Sequence, residues 1–236
     1  MGLDWASGLL SYGVFVFSVT LHEAAHAWSA LKLGDRTAQR GGQVTLDPMP
    51  HIQREPVGMV LVPILSWLFG GSMIGWASAP YDPLWARAYP RRSALMAAAG
   101  PAANLGLVVI AGLLMRAGLM AGVFHAPSME EFGWATLVRA DEGGIWNAVA
   151  ALLGTMFSLN LLLCLFNLIP VPPLDGSSIL ALVMPQRAAE RYMDFMRQPG
   201  FALLGLLVAW KLFGQIFWPV WIAAAELLYA GWAIGY

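Results

Sequence analysis

The chain has 236 residues, of which 58% are hydrophobic and only 11% charged, with a formal net charge of −1. Soluble domains carry roughly 25% charged residues, so an ordinary soluble enzyme and a disordered chain are excluded, and no basic face exists for nucleic acid. A mean hydropathy of +0.63 and recurrent charge-poor runs indicate an all-α polytopic membrane protein, and the single cysteine, Cys164, allows neither an intrachain disulfide nor a thiolate zinc site.

A bilayer core about 30 Å thick needs roughly 20 apolar residues of helix, and five regions qualify or come close. The first, 7–33, has no Lys or Arg before Lys32 and passes Val19 without a small-residue cleavage site. It reads as a retained span rather than a signal peptide. The second, 57–77, is interrupted by Pro63 and by Gly70-Gly71; the third and fourth are 93–120 and 146–169. The last, 201–234, is too long for one span, and Gly214 and Pro219 suggest a helical hairpin over 200–236. The expectation is five to six transmembrane helices in one domain, 1–236, with a core over 7–182. No repeat or appended PDZ or CBS module is visible. The 11 Trp and 6 Tyr read mostly as interfacial anchors.

The connections set an orientation. Arg36, Arg40, Arg54, Arg87, Arg91, Arg92, Arg187, Arg191 and Arg197 fall in 34–56, 78–92 and 176–199. The connection 121–145 carries Arg139 against Glu130, Glu131, Asp141 and Glu142. The positive-inside rule puts the three basic connections in the cytoplasm and the acidic one outside. That requires 57–92 to enter the membrane and return to its starting side, and its Pro and Gly content predicts a re-entrant or irregular segment near 40–92. Such backbone is allowed where protein or a wet cavity covers it.

The first region contains His22-Glu23-Ala24-Ala25-His26. Positions i and i+4 share a helix face, so two imidazoles can grip one metal ion with Glu23 beside them. Zinc suits nitrogen and carboxylate ligands with one position left for water. A charged residue at mid-membrane costs about 2.5–3.5 kcal/mol, so Glu23 is hard to explain as filler. Two histidines need a third protein ligand, and the candidate is Asp175 in Asn167-Leu168-Ile169-Pro170-Val171-Pro172-Pro173-Leu174-Asp175-Gly176. Taken alone, Asp175-Gly176 reads equally as a turn after a helix. At 1.5 Å per residue His22 lies about 22 Å along a helix starting near Ser7. It meets Asp175 at one depth only if the first and fourth helices run in the same direction, which demands the same returning path over 57–92.

These segments resemble the site-2 protease family of intramembrane zinc metalloproteases from about residue 21 to 182. Besides the two motifs above, the resemblance rests on Thr45-Leu46-Asp47-Pro48-Met49-Pro50-His51-Ile52, Gly75-Trp76-Ala77 and Ala99-Gly100-Pro101-Ala102-Ala103-Asn104. It implies one Zn2+ held by His22, His26 and Asp175, with Glu23 as catalytic base. It also implies substrate- or intermediate-binding roles for Asn104 and Asn167. Gly42-Gln43, Asp47, Gln53 and Ala77-Ser78-Ala79-Pro80 depart from the family pattern in the substrate-facing loop, where they bear on specificity and touch neither ligands nor base.

The resemblance implies a zinc-dependent intramembrane endopeptidase in the cell membrane. Its partners would be membrane lipid and a transmembrane protein substrate, typically a membrane-tethered regulator. The alternative is a non-proteolytic metal-binding membrane protein, a transporter or pseudoprotease, since intramembrane His and Asp also mark ion pathways. Glu23, which mere binding does not need, favours the enzyme, and a transporter would more often show paired repeats. His51 reads as a loop-ordering residue, and Gly100, Ala102, Ala103 and Gly106 as close-packing positions.

Overall fold

Helix α1 spans Trp5–Leu33. Asp4 starts it by accepting from the amides of Ala6 and Ser7. Gly34, at φ 108°, ends it in the left-handed region, which glycine enters without a Cβ penalty. There follow α2 (Thr37–Arg40), α3 (Met49–Arg54), α4 (Val62–Gly70, entered through a π-helical turn over Val57–Leu61) and α5 (Pro83–Ala88). Then come α6 (Pro90–Met120), α7 (Ile145–Asn167), α8 (Asp175–Ile179, continued as a 3-10 turn over Leu180–Val183), α9 (Gln186–Met196) and α10 (Phe201–Glu226, extended by a 3-10 turn over Leu227–Tyr229). This computed structural model describes residues 4–141, 144–196, 198 and 200–230. Among them every regular element is helical. Glu142 and Arg197 of the charge pattern, and the last residues of the C-terminal apolar region, lie outside the described residues.

Four stretches are long and apolar enough to cross a membrane: α1, α6, α7 and Phe201–Tyr229. Their outer faces carry bare large apolar side chains, among them Leu105 and Leu113 of α6 and Leu203, Leu207 and Trp210 of α10. Exposed apolar area on that scale is unstable in water and suits lipid.

The ends of α1 and α6 lie together. Arg92 Nη1 donates to the carbonyl of Leu33 at 3.1 Å, and Trp85, Ala86 and Met96 pack with Ala30. The chain between them therefore leaves one end of the bundle and returns to it. Helix α4 climbs until Trp67 packs against Trp5 at the far end of α1, ring centroids 5.4 Å apart and the rings tilted at 56°. Past Gly71, at φ 69°, the chain has no regular structure through 82 and runs back along the helix. Ile74 N donates to Ser66 Oγ at 2.9 Å, Trp76 N to Gly58 O at 3.1 Å and Ser78 Oγ to Glu55 Oε1 at 2.5 Å. Gly58 and Gly75 allow the close approach, because a Cβ on either would collide with the facing backbone. This is the re-entrant, helix-plus-extended path expected for 57–92. The returning chain is tied to the end of α1 by Asp35, which accepts from Thr37 N, Thr37 Oγ1 and Asp82 N at 2.6–2.8 Å. Burial opposes ionisation of Asp35, and these bonds outweigh it to hold the carboxyl below its ordinary range.

The C-terminal region differs from expectation. Instead of a helical hairpin over 200–236, the described residues form one continuous helix with Pro219 inside it. The lost Pro219 amide leaves one carbonyl without its usual donor, a defect that packed membrane helices absorb. Phe217 and Trp221 on either side are buried, and Trp221 Nε1 donates to Ser158 Oγ of α7 at 2.8 Å. Arg116 of α6 holds the end of the helix by donating to the carbonyls of Leu227, Leu228 and Ala230. Glu226 sits exposed beside this clamp, four turns from Lys211.

Candidate metal centre

Helix α1 carries buried polar side chains: Ser18, His22 and His26 follow one another at one-turn spacing, and with Thr20 and Glu23 they are all at most 7% exposed. The two histidines are one turn apart, and their Nε2 atoms lie 2.9 Å from each other. The Oδ2 of Asp175 reaches both, at 3.2 Å from His22 Nε2 and 3.3 Å from His26 Nε2. A proline-rich run of turns over 168–173 brings the chain back after α7, and Asp175, following Leu174 in extended backbone, opens α8. The following Gly176 fits because a Cβ would collide with the carbonyls of Leu168 and Ile169.

The rear nitrogens of the imidazoles are committed. His26 Nδ1 faces the carbonyl of Met96 at 2.7 Å, and His22 Nδ1 faces Asn104 Oδ1 at 2.5 Å. Both acceptors lie on α6, close to Pro101, which cannot donate to Ala97 and loosens the helix locally. An imidazole that donates through Nδ1 carries its lone pair on Nε2. Two such lone pairs 2.9 Å apart repel each other, and Asp175 Oδ2 beside them is buried with no hydrogen-bond donor. Three converging donors of this kind fit a cation. Zinc bonds of about 2.0–2.1 Å in a tetrahedron set neighbouring ligand atoms about 3.3 Å apart, close to the spacings found. His22, His26 and Asp175 thus fit one zinc ion, and they are the metal-capable group among the described residues.

Glu23, 5% exposed, makes no hydrogen bond or ion pair to any described residue. With no protein partner, its carboxyl group is left available for chemistry at the centre. Asn104 is placed differently from the substrate-binding role implied by resemblance. It is fully enclosed, its Oδ1 faces His22, and its Nδ2 donates to Asn160 Oδ1 at 2.8 Å, so both polar atoms already have protein partners. Asn167, at the end of α7, is half-buried, and its Nδ2 donates back to Leu163 O at 3.0 Å. It is not drawn into the metal cluster. His51 is buried with Nε2 against Thr45 O at 3.2 Å, the loop-ordering contact expected of it.

Gly100 reads in the sequence as a helix-packing position, and the structure gives it a more direct part. A Cβ there would collide with the Nε2 atoms of both His22 and His26. Only its place in the Ala-Gly-Pro run hinted at this, since nothing local marks which helix a glycine faces.

Residues 11–207 match the sequence profile described as "Peptidase family M50". The chain is 31% identical over 206 residues to "Putative zinc metalloprotease YwhC" of Bacillus subtilis, covering 87% of this chain and 82% of that protein. It is 30% identical over 235 residues to "Putative zinc metalloprotease Rip2" of Mycobacterium tuberculosis, covering 92% and 79%. With the protein of the same name in Mycolicibacterium smegmatis it shares 31% over 207 residues, covering 84% and 69%. No solved structure matches at a significant level. A buried two-histidine, one-carboxylate centre with an unpartnered glutamate beside it, in a chain whose profile match covers most of its length, gives one assignment: the chain belongs to peptidase family M50, the site-2 protease family, and is a membrane-bound zinc metalloendopeptidase.

Proposed function

We propose that this enzyme is a multi-pass protein of the cell membrane that hydrolyses peptide bonds inside the membrane-spanning segments of membrane-tethered regulatory proteins. One observation carries the reading: His22 and His26 lie past the middle of the 29-residue apolar helix α1, with every ligand side chain facing the bundle interior. A protease for soluble chains has no use for a centre at that depth.

His22, His26 and Asp175 would hold the zinc, which when bound lowers the pKa of a water to about 7 and polarises the scissile carbonyl. Glu23 takes the proton from the attacking water and returns it to the leaving amine, the two proton transfers that acyl cleavage requires. Asn104 holds His22 rather than the substrate. Asn167, whose Oδ1 accepts from no described donor, remains a candidate for contact with the substrate backbone. A closed helix hides its carbonyls in its own hydrogen bonds, so the substrate must unwind before it is cut. The stretches without regular structure, 41–48 and 71–82, are the surfaces suited to an extended chain.

The test is cleavage of a single-span reporter in liposomes, with zinc content measured in parallel. Glu23→Gln should keep about one zinc per chain and lose cleavage by at least about 100-fold, the lower range for a proton-transfer group. Undiminished cleavage by Glu23→Gln would remove the base from the mechanism. Cleavage only outside the spanning segment would remove the intramembrane reading.

The orientation has its own check. In a Cys164→Ser background, cysteines at Arg40, Ala88 and Glu190 should react with impermeant reagent from the cytoplasm, and one at Glu130 from outside. Labelling of position 88 from outside would contradict the returning path of 57–82.

A further inference from the structure

We infer that Asn160 of α7 is a positioning residue for the metal centre: acting through Asn104, it fixes which nitrogen of His22 carries the proton. The inference rests on the zinc site proposed at His22, His26 and Asp175.

It follows from which groups can only donate and which can only accept. The Asn160 side chain is fully enclosed. Its Nδ2 lies 2.8 Å from the carbonyl of Met156 and 2.9 Å from Ser18 Oγ. A backbone carbonyl accepts and never donates, so the amide of Asn160 must face Met156 and its Oδ1 must face away. That oxygen meets Asn104 at 2.8 Å, which therefore has to present Nδ2. The Oδ1 of Asn104 is then the atom 2.5 Å from His22 Nδ1, and an oxygen there requires Nδ1 to be the protonated nitrogen. The lone pair is left on Nε2, beside His26 Nε2 and Asp175 Oδ2. Every assignment follows from the carbonyl of Met156, so none depends on guessing an amide flip.

His26 obtains the same tautomer by a shorter route, since its Nδ1 faces the carbonyl of Met96 directly. At the level of His22 no backbone acceptor is in reach, and the two asparagines transmit the preference from α7 across α6 to α1. Ser18 anchors the far end of the relay back on α1, four residues before His22. Without Asn160, the Asn104 amide loses the acceptor that fixes its orientation. It can then turn Nδ2 towards His22, which favours the tautomer with its proton on Nε2 and blocks ligation.

The experiment is zinc affinity of the full chain in detergent micelles, measured by competition with a chelator, for wild type, Asn104→Ala, Asn160→Leu and the double variant. Loss of an outer partner of a metal-bound histidine costs roughly 10–100-fold in affinity, and Asn160→Leu should fall in that range. In the Asn104→Ala background the same substitution should cost less than about twofold further, because the relay is already cut. A merely structural asparagine would instead lower affinity equally in both backgrounds, and that result, or unchanged affinity in Asn160→Leu, overturns the proposal. If Asn160→Leu does not fold, Asn160→Ala carries the same four-way comparison. His26→Ala is the control: retention of zinc there would show that the metal lies elsewhere, a different failure from full affinity in Asn160→Leu alone.

Discussion

Asp175→Asn is expected to abolish zinc-dependent stabilisation and proteolysis together while leaving the fold intact. The substitution keeps the size of the side chain and its tolerance of turn geometry, and removes the one negative charge among the three ligand atoms. It also replaces an acceptor with a donor. In the metal-free protein, Asp175 Oδ2 is buried without a donor and faces two imidazole nitrogens. An amide at the same place can donate to those nitrogens, so metal-free Asp175→Asn should unfold at the same temperature as wild type or slightly above it. Zinc should then separate the two proteins. At a free concentration of about 100 times the wild-type Kd, binding stabilises by about 2.7 kcal/mol; the variant should gain almost none of this. Its affinity should fall by more than the roughly 10–100-fold that loss of an outer partner costs. Thermal unfolding with and without zinc measures both effects. Full zinc-induced stabilisation of Asp175→Asn would return Asp175 to the role of a turn residue.

Much of the centre was legible in the sequence, because its core is local. His22 and His26 are spaced by one helical turn, so their convergence follows from helix geometry alone, and Glu23 stands out as an acid within an apolar run. The returning path of 57–92 was legible as well, from two independent constraints: the arginine distribution and the need for α1 and α7 to run in the same direction. What could not be read is which partner a buried polar side chain chooses. Asn104 reads in the sequence as a substrate- or intermediate-binding asparagine, and its contacts are 82 residues back at His22 and 56 residues on at Asn160. Only the packing of α1, α6 and α7 decides that both its polar atoms are used inside the protein. Pro219 misled for a related reason. A mid-segment proline ends most helices in water, where the freed carbonyl can be hydrated. Between lipid and the buried faces of Phe217 and Trp221, unwinding would free several carbonyls instead of one, so the helix continues.

Gly100→Ala is the smallest change expected to disable the centre. Helix α6 carries Met96, four residues before Gly100, and Asn104, four residues after it, and these two supply the acceptors that orient His26 and His22. Gly100 thus lies midway between both anchors, and its missing Cβ leaves the space that the two Nε2 atoms occupy. A methyl group there can be accommodated in two ways. The imidazoles swing aside, which spreads the ligand atoms, or α6 moves off α1, which breaks the anchoring contacts at both histidines. Overpacking of this kind costs about 1–3 kcal/mol, and either route charges it to the metal-bound state. At 1.4 kcal/mol per tenfold, zinc affinity should fall by about 5–140-fold, with cleavage falling in step at limiting zinc. Gly106→Ala on the same helix is the control. Nothing lies within 4 Å of a Cβ at that position, and alanine in a helix interior is favoured over glycine by roughly 0.5–1 kcal/mol, so that variant should bind zinc normally and be no less stable. Equal zinc affinity in Gly100→Ala and Gly106→Ala would mean that α6 yields without disturbing the ligands, and the close approach at Gly100 would then serve packing alone.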